Sequence, residues 1–174
     1  MNTIKQNSEN DCGMACLRMI TGLPEYIIAG ELGFHPSNKL NNTDEDYALL
    51  FEEIAYYLHG KGYFIHTIYS RDILFLHNQT GDAVNDVNMK YRIIDFGYLP
   101  SPTNLKTILL DFKLPAFVTV DTLKNPLNSF HLVVYDPEIK AIRDPALKKL
   151  DFLGVDNYLI YAIHLILDYK NVNR

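Results

Sequence analysis

The stretch that decides the fold lies near the N-terminus and reads Gln6-Asn7-Ser8-Glu9-Asn10-Asp11-Cys12-Gly13-Met14-Ala15-Cys16-Leu17. Asp11 is a favourable N-cap residue, because its carboxylate can accept hydrogen bonds from the free N–H groups of a first helical turn. Cys12 then takes the first helical position, where the positive end of the helix dipole favours a thiolate. Gly13 leaves the surroundings of that thiolate open. The pattern therefore predicts a helix over residues 12–21 that presents a reactive thiol at its start.

Two other side chains belong to this stretch. Gln6 precedes Cys12 with five residues between them, and an amide there can donate a hydrogen bond to the oxyanion formed when a thiolate attacks a carbonyl. Cys16 lies one turn after Cys12 on the same helix face, and we interpret it as a small buried residue. Two cysteines are too few for a disulfide framework, and no calcium, zinc or other cofactor site is indicated.

The composition is that of an ordinary globular protein. The chain has 174 residues, of which 48% are apolar and 21% charged, and its formal net charge is −5. This charge argues against a nucleic-acid or anionic-membrane surface as the main partner. No apolar run approaches the ~20 residues of a membrane span, and the N-terminus has no apolar signal region. We therefore expect one domain over 1–174, with no membrane span and no nucleic-acid partner.

Hydrophobic periodicity predicts helices in the first part of the chain and strands in the last. The predicted helices cover 12–21, 24–32, 44–59 and 103–112, and the predicted strands cover 63–69, 91–96, 115–120, 130–135, 141–143 and 158–167. Residues 70–91 combine a short apolar cluster with a polar, glycine-containing stretch, and we interpret them as a possible inserted loop. This order predicts an α+β fold in which N-terminal helices pack on a C-terminal antiparallel sheet.

A thiol nucleophile needs a base that can hold its proton, and imidazole suits that role near neutral pH. The six candidates are His35, His59, His66, His77, His131 and His164. Two of them fall in predicted loops, one at a helix C-terminus and two within strands, where a solvated or structural role is expected. His131 starts the apolar run of its strand, near the strand end, where a side chain can project into a cleft. It is therefore the preferred base.

Two aspartates could orient that base, and both precede a proline. If Asp136 pairs with Ala141 across the intervening turn, Asp144 lies diagonal to His131 on the same sheet face. Asp136 is five residues from His131 and points to the other face. A carboxylate at position 144 would accept a hydrogen bond from one ring nitrogen and leave the other for Cys12.

Two blocks of the sequence closely resemble the double-glycine leader peptidases, which are papain-like cysteine peptidases and usually form the N-terminal domains of bacteriocin-exporting ABC transporters. The first block is the Gln-x5-Cys spacing followed by Asp-Cys-Gly-x-Ala-Cys-Leu. The second is Phe130-His131-Leu132-Val133-Val134-Tyr135 followed by Arg143-Asp144-Pro145. The resemblance covers roughly residues 4–22 and 115–146.

The resemblance implies a papain-like fold and a specific set of roles. Cys12 would be the nucleophile, His131 the general base, Asp144 the residue that orients it, and Gln6 an oxyanion donor. The substrate would be a peptide or protein cut after a Gly-Gly pair, and no cofactor would be needed. A narrow cleft over Gly13 would favour substrate residues without side chains.

Several biological roles fit such a domain without an attached transporter. One is a free leader peptidase for a secreted peptide, acting in the bacterial cytoplasm. Another is an antibacterial effector toxin, delivered into a target cell by a secretion system and neutralised by an immunity or inhibitor protein. A Cys-dependent acyltransferase or amidase would use the same triad, and a degenerate binding domain would need none of it.

Overall fold

The computed structural model describes residues 1–7, 11–33, 49, 51–70, 102–122 and 131–168. Within them the helices are α1 (Cys12–Thr21), α2 (Glu25–Glu31), α3 (Phe51–Gly60) and α4 (Pro102–Asp111). The strands are β1 (Tyr63–Tyr69), β2 (Ala116–Thr122), β3 (His131–Asp136), β4 (Ala141–Arg143), β5 (Leu153–Gly154) and β6 (Tyr158–Asp168), with a 3-10 turn (Val155–Asn157) before β6. The predicted strand over 91–96 and residues 71–91 of the expected loop lie outside these ranges.

The strands form an antiparallel sheet in the order β1-β6-β2-β3-β4-β5. The last strand, β6, lies between β1 and β2, so the end of the chain completes the centre of the sheet. The predicted α+β class with helices packed on an antiparallel sheet is confirmed. No helix in the described part of the chain is long and apolar enough to cross a membrane.

Side chains along each strand point alternately to the two faces of the sheet, and each face is covered by a buried hydrophobic core. On one face, Val133 and Tyr135 of β3 pack with Leu105 and Leu109 of α4. On the other, Val134 packs with residues of α1, α2 and α3. Residues of β3 with odd numbers therefore belong to the α4 face, and those with even numbers belong to the α1 face.

The β3–β4 hairpin has the predicted register. Asp136 pairs with Ala141 and Val134 pairs with Arg143, across a turn in which Lys140 takes a positive φ of 50°. Asp144 follows β4 directly, and its number places it opposite Val133 on the α4 face. This register brings the side chain of Asp144 to His131 at the start of β3.

Helix α1 has the predicted bounds and ends as predicted, with Gly22 in the left-handed conformation at its C-cap. The predicted cap at its start is wrong. Asp11 occupies the N-cap position, but its carboxylate makes no capping hydrogen bond with the described residues of α1. Its Oδ2 accepts instead from the backbone N–H of Asn7, at 3.2 Å. Asp11 therefore ties the incoming segment to the helix.

Candidate active site

The structure brings Cys12, His131 and Asp144 into one hydrogen-bonded chain. Nε2 of His131 lies 2.7 Å from Oδ1 of Asp144. The side chain of His131 also makes a hydrogen bond with the thiol of Cys12. Since Nε2 faces the carboxylate, Nδ1 is the ring nitrogen left for sulfur. The arrangement is that of a nucleophile, a base and a group that orients the base.

The surroundings of Cys12 favour its thiolate. Burial alone raises the pKa of the Cys12 thiol. Hydrogen bonds with His131 and with the backbone of Leu132 and Gly13, together with the charge on His131, outweigh burial and lower the pKa below its usual value. Backbone contacts that lower a thiol's pKa stabilise its anion, so the groups involved are N–H donors.

His131 is held in its charged form by the same contacts. Burial acts to lower the pKa of its imidazole, but the hydrogen bonds and charges of Asp144 and Cys12 raise it to about 9. A thiol whose pKa is lowered and an imidazole whose pKa is about 9 exchange a proton readily near neutral pH. Both shifts favour the thiolate–imidazolium form of the pair, which is the reactive form of a cysteine nucleophile.

The buried carboxylate of Asp144 is stabilised by three donors. Oδ1 accepts from His131 and from the backbone N–H of Ala146, at 2.8 Å, and Oδ2 accepts from the hydroxyl of Tyr158, also at 2.8 Å. Burial raises the pKa of Asp144, but these hydrogen bonds and the charge on His131 lower it overall. Asp144 is thus an anion that supports the imidazolium.

The sequence pattern predicts only some of the donors that bind Asp144. The bond from Ala146 is an Asx turn, which Asp-Pro-x sequences favour, so it could have been expected. Tyr158 has no local signal beyond its place at the start of a predicted strand. Its contact depends on how β6 crosses the sheet, which periodicity does not reveal.

The N-terminal segment brings Gln6 against the same loop. The backbone N–H of Gln6 donates to the carbonyl of Pro145 at 3.1 Å, one residue after Asp144. Earlier in the segment, Lys5 Nζ donates to the carbonyl of Leu150 at 2.5 Å. Oε1 of Gln6 is buried and has no hydrogen-bond partner among the described residues. This oxygen is an acceptor, so an N–H or O–H donor of an incoming ligand could satisfy it.

Leu132 connects the two cysteines through its backbone. Its N–H faces Cys12, and its carbonyl oxygen accepts from Sγ of Cys16 at 3.2 Å. Cys16 is fully buried, and burial raises the pKa of its thiol well above the usual value, with the charges of Cys12 and Asp144 adding to the effect. The interpretation of Cys16 as a small buried residue is confirmed.

The other described histidines are His59 of α3, His66 of β1 and His164 of β6. His164 of β6 is buried, and its ring nitrogens each lie 2.9 Å from a threonine hydroxyl, of Thr67 and of Thr119. Burial lowers the pKa of His164 to about 3, so it is a neutral structural histidine, as expected. His59 lies in the last turn of α3. His35 and His77 lie outside the described residues.

The expectation that Gly13 leaves open space is wrong. A Cβ at this position would lie 2.9 Å from the carbonyl oxygen of Leu49 and 3.3 Å from Cδ1 of Ile54. Gly13 is therefore required for the close packing of α1 against this part of the chain. Any steric selection of the substrate must come from other residues.

No group of three or more His, Cys, Asp or Glu side chains in the described ranges could hold a metal ion.

Comparison with known proteins finds similarity to solved structures. No family model matches the sequence, and no curated protein matches it. Among solved structures, the chain is similar to a double glycine motif protease from an AMS/PCAT transporter, determined in complex with the leader peptide. The identity is 14%, the TM-score is 0.47, and the match covers 95% of this chain and 90% of the other.

Proposed function

We propose that this chain is a papain-like cysteine peptidase that cleaves a peptide or protein substrate. The observation that carries the proposal is the hydrogen-bonded chain from Cys12 through His131 to Asp144 at the start of α1. A half-buried Cys–His pair whose contacts favour the charged form of both side chains has little structural value, because charged groups are costly to remove from water. Such a pair is suited to catalysis, in which the sulfur of Cys12 attacks an electrophilic carbon.

The proposed reaction begins when Cys12 Sγ attacks the carbonyl carbon of the scissile peptide bond, and the C=O electron pair moves to oxygen. The N–H of Cys12 and the side-chain amide of Gln6 donate to that oxyanion. The tetrahedral intermediate collapses, the C–N bond breaks, and the leaving amine takes the proton of His131. This leaves a thioester on Cys12 and a neutral imidazole.

Hydrolysis of the thioester completes the cycle. A water molecule attacks the acyl carbon while His131 takes its proton, and Cys12 leaves as a thiolate. Throughout, Asp144 fixes the orientation of the ring and stabilises its charged form. The starting ion pair is regenerated and no cofactor enters the reaction.

The proposed cleavage position is after a Gly-Gly pair. The Gln-x5-Cys block and the His131 block, through their resemblance to double-glycine leader peptidases, support this choice. Because Gly13 is covered by Leu49, the preference cannot arise from a cleft above that glycine. A series of peptides with Gly-Gly, Gly-Ala, Ala-Gly and Ala-Ala before the scissile bond tests it by kcat/KM. Equal values for all four would exclude a Gly-Gly specificity.

The nucleophile is tested by mass spectrometry of Gly-Gly peptides incubated with the protein. Wild type should release two fragments through a thioester on Cys12, and Cys12→Ala and His131→Ala should both be inactive, since the two residues act as one unit. Cys16→Ala is the matched control and should keep most activity. Cleavage by Cys12→Ala would overturn the assignment.

The same assay separates the peptidase from a Cys-dependent amidase or acyltransferase. A peptidase gives the free acid of the N-terminal fragment in water. An acyltransferase gives instead a conjugate with an added amine, and an amidase acts on a side-chain amide while the peptide bond stays intact. Either result would replace the proposed reaction while retaining the triad.

A further inference from the structure

Among the described residues, the side chain that donates a hydrogen bond to Oδ2 of Asp144 is that of Tyr158, through its hydroxyl. Tyr158 is 1% exposed and starts β6, directly after the 3-10 turn over 155–157. Its hydroxyl lies 2.8 Å from Oδ2 of Asp144, in the buried part of the molecule. Oδ1 is already shared between His131 and the N–H of Ala146. Both oxygens of one carboxylate are thereby held from three directions.

The two contacts of Oδ1 resist rotation of the carboxyl group about its Cβ–Cγ bond. A donor on Oδ2 adds a restraint on the opposite side, so that the plane of the group must satisfy bonds at both oxygens. The orientation of the His131 ring depends on this plane, since Nε2 meets Oδ1. A change in the carboxyl plane would therefore move Nδ1 relative to the sulfur of Cys12.

We infer that Tyr158 is a positioning residue, which acts on the nucleophile through Asp144 and His131 by fixing the plane and the charge of the carboxylate. The inference rests on the proposed function for its meaning in catalysis. The contacts themselves are independent of the substrate. Through them the last strand of the sheet, at the far end of the chain, controls the reactivity of a thiol in α1.

The charges around Asp144 support this role. The titratable groups that act on it from the described elements are His131 of β3, Tyr158 of β6 and Cys16 of α1. Tyr158 favours the anion of Asp144, and in return the carboxylate and burial raise the pKa of the phenol. The phenol therefore remains a donor wherever the triad is active.

The chain offers a matched control in Tyr135. Tyr135 and Tyr158 belong to the same buried core cluster on the α4 face. The hydroxyl of Tyr135 is buried and has no hydrogen-bond partner in the part of the chain that the structure describes. Tyr135→Phe and Tyr158→Phe thus remove the same atom from the same core, and they differ in whether that atom holds Asp144.

The test is the rate of alkylation of Cys12 by iodoacetamide as a function of pH, read by peptide mapping, together with kcat and KM on a Gly-Gly peptide. Tyr158→Phe should shift the acid limb of the alkylation profile to higher pH, because a less stable Asp144 anion gives weaker support to the ion pair. It should lower kcat about tenfold with KM little changed, the size expected when a hydrogen bond to a charged group is lost. Tyr135→Phe should match wild type in all three quantities.

Coincident alkylation profiles for Tyr158→Phe and wild type would overturn the inference. An inactive wild type with a shifted profile in Tyr158→Phe would refute the proposed function and leave the positioning role intact. Should Tyr158→Phe fail to fold, tyrosine labelled with 13C at Cζ gives a second test. The Tyr158 signal should differ between wild type and Asp144→Asn, and identical signals would exclude the contact.

Discussion

The two Asp-Pro-x turns of the β3–β4 region have the same local chemistry and different surroundings. Asp136 and Asp144 are 1% and 2% exposed, so burial does not separate them. Each accepts at Oδ1 from the backbone N–H two residues later, at 3.1 Å from Glu138 and 2.8 Å from Ala146. The turns are therefore equivalent as local structures.

What differs is the group that each carboxylate meets across the sheet. Oδ2 of Asp136 accepts from Nε of Arg143 at 2.7 Å, on the α1 face. Asp144 meets His131 and Tyr158 on the α4 face. A guanidinium stays charged at all working pH values, whereas an imidazole exchanges its proton. Successive residues of a strand face opposite sides of the sheet, and the side that each aspartate faces therefore decides whether it meets the guanidinium or the imidazole.

The largest expected effect that separates the turns is on activity. Asp144→Asn should lower kcat/KM on the order of 10³-fold, equivalent to about 4 kcal/mol of transition-state stabilisation, because the amide neither stabilises the imidazolium nor fixes its tautomer. Asp136→Asn should change kcat/KM less than threefold. Peptide cleavage assays on both folded variants measure the difference. A large loss in Asp136→Asn with an active Asp144→Asn would reverse the two assignments.

The second effect is on stability and belongs to the turn at Asp136. Arg143→Met leaves a buried carboxylate without its guanidinium, so the free energy of unfolding should fall by about 3 kcal/mol. Urea denaturation measures this loss. The double variant Arg143→Met with Asp136→Asn should lose less than the sum of the two single variants, because it no longer buries a carboxylate that has lost its guanidinium. Additive losses would mean that the pair does not interact.

The third effect is on the pH dependence of activity. The pKa of His131 is raised to about 9 with the help of Asp144, so kcat/KM should fall about tenfold per pH unit above that value as the imidazolium loses its proton. Asp144→Asn removes the negative charge and should move this alkaline limb to lower pH. Asp136→Asn should leave it in place. An alkaline limb unaffected by Asp144→Asn would show that another group controls it.

The smallest effect concerns what the two turns share. Pro137→Ala and Pro145→Ala each add freedom to the unfolded chain, so each should lower stability by less than about 1 kcal/mol. Thermal unfolding of the two variants tests whether the losses are similar. A much larger loss at Pro145 would show that this turn is constrained by more than its local conformation.

Much of this arrangement could be predicted from local patterns. The bounds of α1 and the pairing of Asp136 with Ala141 followed from periodicity and turn length. Because side chains alternate between the faces of a strand, the numbering alone separates the two aspartates. These features are local or depend on neighbouring strands, where the period of two decides the face.

Other features depend on tertiary contacts that no local pattern contains. The place of β6 between β1 and β2, and with it the contact of Tyr158, is set by the packing of distant strands. Asp11 accepts from the N–H of Asn7, a local contact that competes with capping and that the N-cap pattern does not predict. Gly13 is covered by Leu49, a residue that is distant in sequence. The two-residue strand β5 is too short to produce a periodic signal.

The placement of Tyr158 near the end of the chain has a consequence for biosynthesis. In an unfolded or partly synthesised chain, the Cys12 thiol should have the ordinary pKa of about 8.5, so about 3% of it is thiolate at pH 7. Cys12 emerges first from the ribosome, while His131, Asp144 and Tyr158 follow more than a hundred residues later. We therefore expect the Cys12 thiol to react slowly until His131 and Asp144 have been synthesised and have folded beside it, with Tyr158 of β6 strengthening the effect.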